Sequence, residues 1–231
     1  VGISYYTLQQ IAYLIDISSR NVEAERSIIN FAIYTSFFAT ILQGPITRYA
    51  EVKEDIANLT AIKLNNSIHG YERILFGLFK KIVLADRIAP AVNYLFNLHA
   101  SVGSLTILAA GLCTVQLYMD FSGTVDISIG AAKIFGIHLP ENFKQPFFAK
   151  NATDFWHRWH MTLSRYLRDY VFYPISLSRI MMGLSKYLKK HHCKWLAKVT
   201  GPIIALFVVW LCNGLWHGAN ILFILYGMYY F

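Results

Sequence analysis

Val199-Thr200-Gly201-Pro202-Ile203-Ile204-Ala205-Leu206-Phe207-Val208-Val209-Trp210-Leu211-Cys212-Asn213-Gly214-Leu215-Trp216-His217-Gly218-Ala219-Asn220, continued by an apolar run to Phe231, contains no Asp, Glu, Lys or Arg. It exceeds the roughly 20 apolar residues that cross a bilayer as a helix. Residues 27–47 and 88–119 also lack all four residue types. Three such runs in one chain predict an all-α fold, a polytopic bundle of transmembrane helices.

Composition agrees. Of 231 residues, 55% are hydrophobic and 16% aromatic, and only 15% are charged, against about 25% in a soluble domain. These values exclude a disordered chain, a disulfide-stapled secreted module and a cytosolic enzyme. Cys113, Cys193 and Cys212 have no CxxC spacing and read as small buried apolar side chains. The chain begins at Val1 and breaks off in an apolar run. It therefore reads as an excerpt, one membrane domain over 1–231 truncated at both ends, in which no signal peptide is legible.

The net charge of +8 is local. Residues 1–143 carry 10 basic and 11 acidic residues, whereas 144–198 carry the other 11 basic residues with only Asp154 and Asp169. Its densest part, Lys186, Lys189, Lys190, His191, His192, Lys194 and Lys198, directly precedes the last span. A basic loop there is a topology and lipid signal that keeps it on the cytoplasmic side. Binding of nucleic acid, the other use of lysine runs, is not expected.

Along the chain, Val1 to Ile15 reads as an apolar helix and 16–26 as a polar connection. Ile28 to Gln43 reads as a span that stops at Gly44-Pro45, where proline removes a donor and constrains its predecessor. Residues 47–66 read as a surface segment. Residues 67–87 mix Ile74, Leu75 and Leu78 with Glu72, Arg73, Lys80 and Lys81; this amphipathic pattern suits an interfacial helix or a span lining a polar cavity. A span over 104–119 runs into Asp120 and Asp126. A carboxylate in hydrocarbon costs several kcal/mol, so both are expected to face protein, water or a partner.

Residues 153–173, after a loop over 138–152, predict one helix with Thr153 as N-cap, ending before Pro174. On it Trp156, Trp159 or His160, Leu163 and Leu167 share a side, and Asp154 with Arg158 and Arg165 with Asp169 are i,i+4 pairs. Its plain reading is an interfacial helix. His157 and His160 lack the third ligand that a metal site needs. His217 is the sharpest functional signal, since an ionisable group inside a span is costly unless it lines a polar path. Gly214 and Gly218, at i and i+4, would let a helix or a substrate approach beside it. The other reading of His217, a packing histidine bonded across helices, stands equally on these residues.

Seven motifs occur in order. They are residues 2–16, Gly44-Pro45-Ile46-Thr47-Arg48, Gly77-Leu78-Phe79-Lys80-Lys81, Asp120-Phe121-Ser122-Gly123, Leu139-Pro140-Glu141-Asn142-Phe143, Phe155-Trp156-His157-Arg158-Trp159-His160 and Gly214-Leu215-Trp216-His217-Gly218. Together they resemble the membrane-bound O-acyltransferase family, in its bacterial alginate O-acetylation and D-alanyl transfer branch, across essentially the whole chain. His157 stands where relatives often carry Arg, and Thr124-Val125 where Tyr-Ser is usual.

The resemblance implies a helix bundle with interfacial or re-entrant helices around a funnel, in the bacterial inner membrane. It puts the family's invariant histidine on His217, the expected base that deprotonates a sugar hydroxyl. It puts the second on His160, expected to orient the acyl group or stabilise an oxyanion. Asp120, Trp156, Arg168, Asn213 and Trp216 are expected to line the channel or support the histidines. No bound cofactor or metal is implied. The acyl donor, acetyl-CoA or an acyl-carrier thioester, is a co-substrate, and a polysaccharide or a periplasmic or extracellular acyl-accepting protein is the partner. D-alanyl transfer to teichoic acid is the alternative within the class. A polytopic transporter using Asp120, Asp126 and His217, or a structural membrane subunit, are the alternatives outside it.

Overall fold

The computed structural model describes residues 3–41, 43–59, 61–98 and 103–231. Val1 and Gly2 of the first expected helix, Leu42 of the expected 28–43 span, Thr60 of the 47–66 segment and 99–102 of the 88–119 run lie outside the described residues. Among the described residues the chain is helical and holds no strand. It divides into two compact units, Val1–Thr162 and Leu163–Phe231.

In the first unit, α1 (Ile3–Ser18), α2 (Ile28–Ser36) and α4 (Tyr49–Ala57) meet through Tyr13, Tyr34 and Tyr49, whose rings lie 5.2–6.0 Å apart. Buried tyrosine hydroxyls need partners. Tyr34 donates to the carbonyls of Gln9 and Thr47 at 3.2 and 3.1 Å, and Tyr49 donates to Glu25. The expected span over 28–43 is not continuous. Phe37 takes extended geometry with ψ 116°, ending α2 before the four-residue α3 (Phe38–Ile41).

The expected amphipathic helix over 67–87 is longer than predicted. It starts in α5 (Leu64–Leu78), passes through a π-helical segment (Phe79–Ala85) and continues as α6 (Asp86–Asn97). α7 (Gly103–Ile134) is a single helix of 32 residues, so Asp120 and Asp126 lie within it rather than beyond its end. The 88–119 run is thus shared between α6 and α7.

α5 packs antiparallel on α7 through paired glycines. A Cβ at Gly77 would fall 2.6 Å from the Gly123 carbonyl oxygen, and one at Gly70 would fall 2.7 Å from that of Gly130. The reciprocal distances are 2.8 and 2.6 Å. Both pairs are seven residues apart, two turns of each helix, so the backbones touch along one seam.

In the second unit, α11 (Arg179–Lys190) folds back on α12 (Lys194–His217), and Ser185 donates to the Ala197 carbonyl at 2.8 Å. α13 (Ile221–Tyr230) folds back on the other end, with Asn220 capping it through Leu222 N at 2.9 Å. α7 and α12 are long and apolar enough to cross a membrane. Only 6% and 11% of their most apolar windows are buried inside the protein. Core helices of a soluble protein would be mostly buried; most residues of these two windows are not.

Candidate functional site

The predicted helix over 153–173 is broken. α8 (Ala152–Trp156) is capped by Asn151, whose side chain accepts from Asp154 N at 2.8 Å, so the cap lies two residues before Thr153. After a turn the chain resumes as α9 (Met161–Leu167), a π-helical segment (Arg168–Phe172) and the short α10 (Tyr173–Ser176). The break is at His160, whose φ of 46° is left-handed and incompatible with a continuing α-helix. Trp156 and Leu167 therefore do not share one helix face.

Asn142 is the physical reason for this break. It is fully buried, and its backbone oxygen accepts from Met161 N at 2.9 Å while its side-chain oxygen accepts from Thr162 N at 3.1 Å. A helix start leaves its first N–H groups without intrahelical acceptors, and a residue nearly twenty positions upstream supplies them. Thr162 Oγ1 also donates to Asn142 Oδ1 at 2.9 Å and accepts from Ile46 N at 3.0 Å. The same Asn142 oxygen lies 3.2 Å from His160 Nδ1. The imidazole, only 4% exposed, sits edge-on to Phe121 with centroids 4.9 Å apart. Phe143 packs against Phe121 and Trp159 at 5.0 and 5.1 Å, which closes an aromatic wall around the ring.

The loop that carries Asn142 is held by charge. Arg73 donates to Asp126 at 2.8 and 3.0 Å and, through both terminal nitrogens, to Glu141 at 2.5 Å. Lys80 Nζ lies 2.6 Å from the other Asp126 oxygen. Asp126 thus faces protein, and its cations come from the amphipathic segment. These groups border an open cleft of about 890 Å³, also lined by Tyr118, Lys133 and Lys144. Asp120 pairs with Lys81 at 2.6 Å. Beside α8, Arg158 donates to Asp154 at 2.8 Å and Lys150 N donates to its other oxygen. The Arg158 bond first, and the Lys150 bond second, hold the Asp154 carboxyl below the usual carboxylate range.

The second unit carries the other candidates. His217 is the last residue of α12 and is exposed. Its ring lies 5.0 Å from Trp216, 5.6 Å edge-on from Tyr226 and 6.3 Å stacked over Phe223. A Cβ on Gly214 would strike the Phe223 carbonyl oxygen at 2.5 Å and one on Gly218 the Phe223 ring at 2.6 Å. The space beside His217 that the two glycines open is thus occupied by α13. Asn213 is buried one turn before His217, and Arg168 bonds its neighbour Asp169 at 2.8 Å. Of the predicted residues, His160, Trp156 and Asp120 belong to the first unit, and His217, Trp216, Asn213 and Arg168 to the second. Sequence reasoning missed Asn142 and Thr162 as partners of His160. Asn142 stood inside one of the ordered motifs, which was its available signal.

Comparison with known proteins gives one family. The model described as membrane-bound O-acyltransferase family matches residues 3–231. A protein of Pseudomonas fluorescens named "Probable alginate O-acetylase AlgI" is 34% identical over 230 residues, covering 100% of this chain and 43% of its own length. A peptidoglycan O-acetyltransferase of Helicobacter pylori is 32% identical over 99% of this chain and 45% of its own length. A teichoic acid D-alanyltransferase of Bacillus subtilis is 30% identical over 100% of this chain and 56% of its own. The chain spans less than half the length of the first two relatives.

Proposed function

The chain belongs to the membrane-bound O-acyltransferase family, and from that premise we propose that the protein transfers an acyl group, acetyl first, to hydroxyls of a polysaccharide outside the cytoplasm. The observation that carries this reading is that relatives sharing the whole chain are named for O-acetyl or D-alanyl transfer. The acceptor oxygen attacks the carbonyl of a thioester, the C–S bond breaks and the thiol leaves. His217 takes the hydroxyl proton during attack and returns it to the leaving sulfur. His160 is the second imidazole of the reaction. Asp120, Trp156, Arg168, Asn213 and Trp216 are the residues we assign to lining the channel or supporting the histidines.

The setting is a funnel through the bacterial inner membrane, with an acetyl-CoA or carrier-bound thioester on the cytoplasmic side. On the other side stands the polysaccharide, or a periplasmic or extracellular protein that relays the acyl group to it. Exposed apolar side chains along α7 and α12, among them Ile107, Leu117, Ile203 and Phe207, support placement in lipid. D-alanyl transfer to teichoic acid is the second reading, favoured by the Bacillus subtilis relative.

The test is full-length protein reconstituted in vesicles, offered acetyl and D-alanyl thioesters with a soluble saccharide acceptor. Acetyl ester on the saccharide supports the first reading, and D-alanyl ester alone replaces it with the second. Solute flux without ester formation would replace both with a transporter.

A further inference from the structure

Asn142 Oδ1 accepts from the backbone N–H of Thr162. A backbone N–H is always a donor, so the amide atom facing it must be the oxygen, and the side chain cannot be turned over. The same oxygen meets His160 Nδ1 at 3.2 Å. A ring nitrogen facing an oxygen acceptor forms a hydrogen bond only if it carries the proton. We infer that Asn142 is a positioning residue that fixes His160 in the Nδ1–H tautomer and so leaves the lone pair of the neutral ring on Nε2. This inference rests on the acyl-transfer reading for its consequence and on geometry alone for its assignment.

The consequence changes the expected role of His160. A neutral ring with its hydrogen on Nδ1 cannot donate from Nε2, so it is not a ready donor to an oxyanion. It accepts instead at Nε2, where it can orient the acceptor hydroxyl whose proton His217 takes. On protonation both nitrogens become donors, and the cation remains bonded to the Asn142 oxygen. The backbone is committed to this placement: His160 sits at φ 46°, a conformation non-glycine residues adopt rarely and at some cost, often at functional sites. Asn142 stabilises it by holding the N–H groups of the two residues that follow, Met161 with its backbone oxygen and Thr162 with its side-chain oxygen.

The acidic groups on the elements packed against the ring are already paired with cations. On α7, Asp126 is held by Arg73 and Lys80, and Asp120 by Lys81. On the loop, Glu141 is held by Arg73. Lys144 of that loop is exposed, and its backbone N–H bonds the Arg158 carbonyl at 2.9 Å. A neutral amide is in hydrogen-bond contact with Nδ1.

The experiment uses full-length protein with 15N-labelled histidine in nanodiscs, His160 being assigned by its loss in His160→Gln. Long-range 15N–1H spectra at a pH where the ring is neutral are expected to show a protonated Nδ1 and an unprotonated Nε2. A protonated Nε2 overturns the inference. Asn142→Leu is expected to abolish the bias and lower ester formation at least tenfold, a part of the roughly 10²- to 10⁴-fold contribution of a general acid–base group. Ester formation at the wild-type level overturns the positioning role.

Asn142→Asp keeps the shape and the acceptor, so it guards against a folding defect. Its added negative charge favours the imidazolium, so the acid limb of the pH–rate profile is expected to move to higher pH. A residue that only capped α9 would leave the limb in place, and an unmoved limb overturns the inference. The tautomer is read without turnover. A spectrum showing Nδ1–H in a protein that forms no ester would sink the acyl-transfer reading and leave the assignment standing.

Discussion

Lys80 Nζ lies 2.6 Å from one oxygen of Asp126 while Arg73 holds the other, so a buried carboxylate of α7 is clamped by two cations from the segment packed against it. With Glu141 on the far side of Arg73, the four charges sum to zero. Asp126→Asn leaves an uncompensated positive charge where Lys80 and Arg73 are both largely buried. Removing one partner of such a cluster costs several kcal/mol, and we expect a loss of about 3 kcal/mol, read as a lower midpoint in thermal unfolding of the purified full-length protein. Lys80→Met combined with Asp126→Asn restores neutrality and is expected to recover part of the loss. Equal midpoints for wild type and Asp126→Asn would show that the cluster does not hold α5 to α7.

Gly77 and Gly123 predict a second stability effect. A methyl group at either lands 2.6–2.8 Å from the partner's carbonyl oxygen, and backbone cannot swing aside as a flexible side chain would. Gly77→Ala is expected to force the helices apart and destabilise by about 2 kcal/mol, the scale of overpacking. Gly183, around which a Cβ would meet nothing within 4 Å, is the control, and Gly183→Ala should leave the unfolding midpoint unchanged or slightly raised.

The Asp154–Arg158 pair gives a pH dependence. The folded carboxyl titrates below the ordinary carboxylate range because Arg158 and the Lys150 N–H bond its charged form. Its contribution is therefore complete above the unfolded carboxylate value and is lost only as pH falls through the lower, folded value. Hydrogen exchange over residues 150–158 should stay slow as pH is lowered through the usual carboxylate range, after correction for the intrinsic pH dependence of exchange. Asp154→Asn should show fast exchange there at every pH.

Much of this was legible in the sequence, and the failures share a cause. Charge-free runs marked α12 and the first half of α7 because a long apolar helix leaves a compositional signal along the chain itself. The amphipathic pattern of 67–87 was visible too, but not its destination: Arg73 and Lys80 find Asp126 about fifty residues away, which no local spacing encodes. The helix over 153–173 was mispredicted because its periodicity is sound and its break is imposed from outside. Asn142, on another loop, takes the N–H groups of Met161 and Thr162 and turns His160 left-handed. Tertiary capping overrides propensity here, and only the order of motifs hinted that the loop and the histidine belonged together.

His217 carries the central claim. In the full-length protein expressed in its host, with membrane insertion confirmed, the amount of ester on the cell-surface polysaccharide is compared between wild type and His217→Ala. The account predicts a fall of roughly 10²- to 10⁴-fold, the contribution of a lost general base. Ester at the wild-type level in a correctly inserted His217→Ala protein would contradict it.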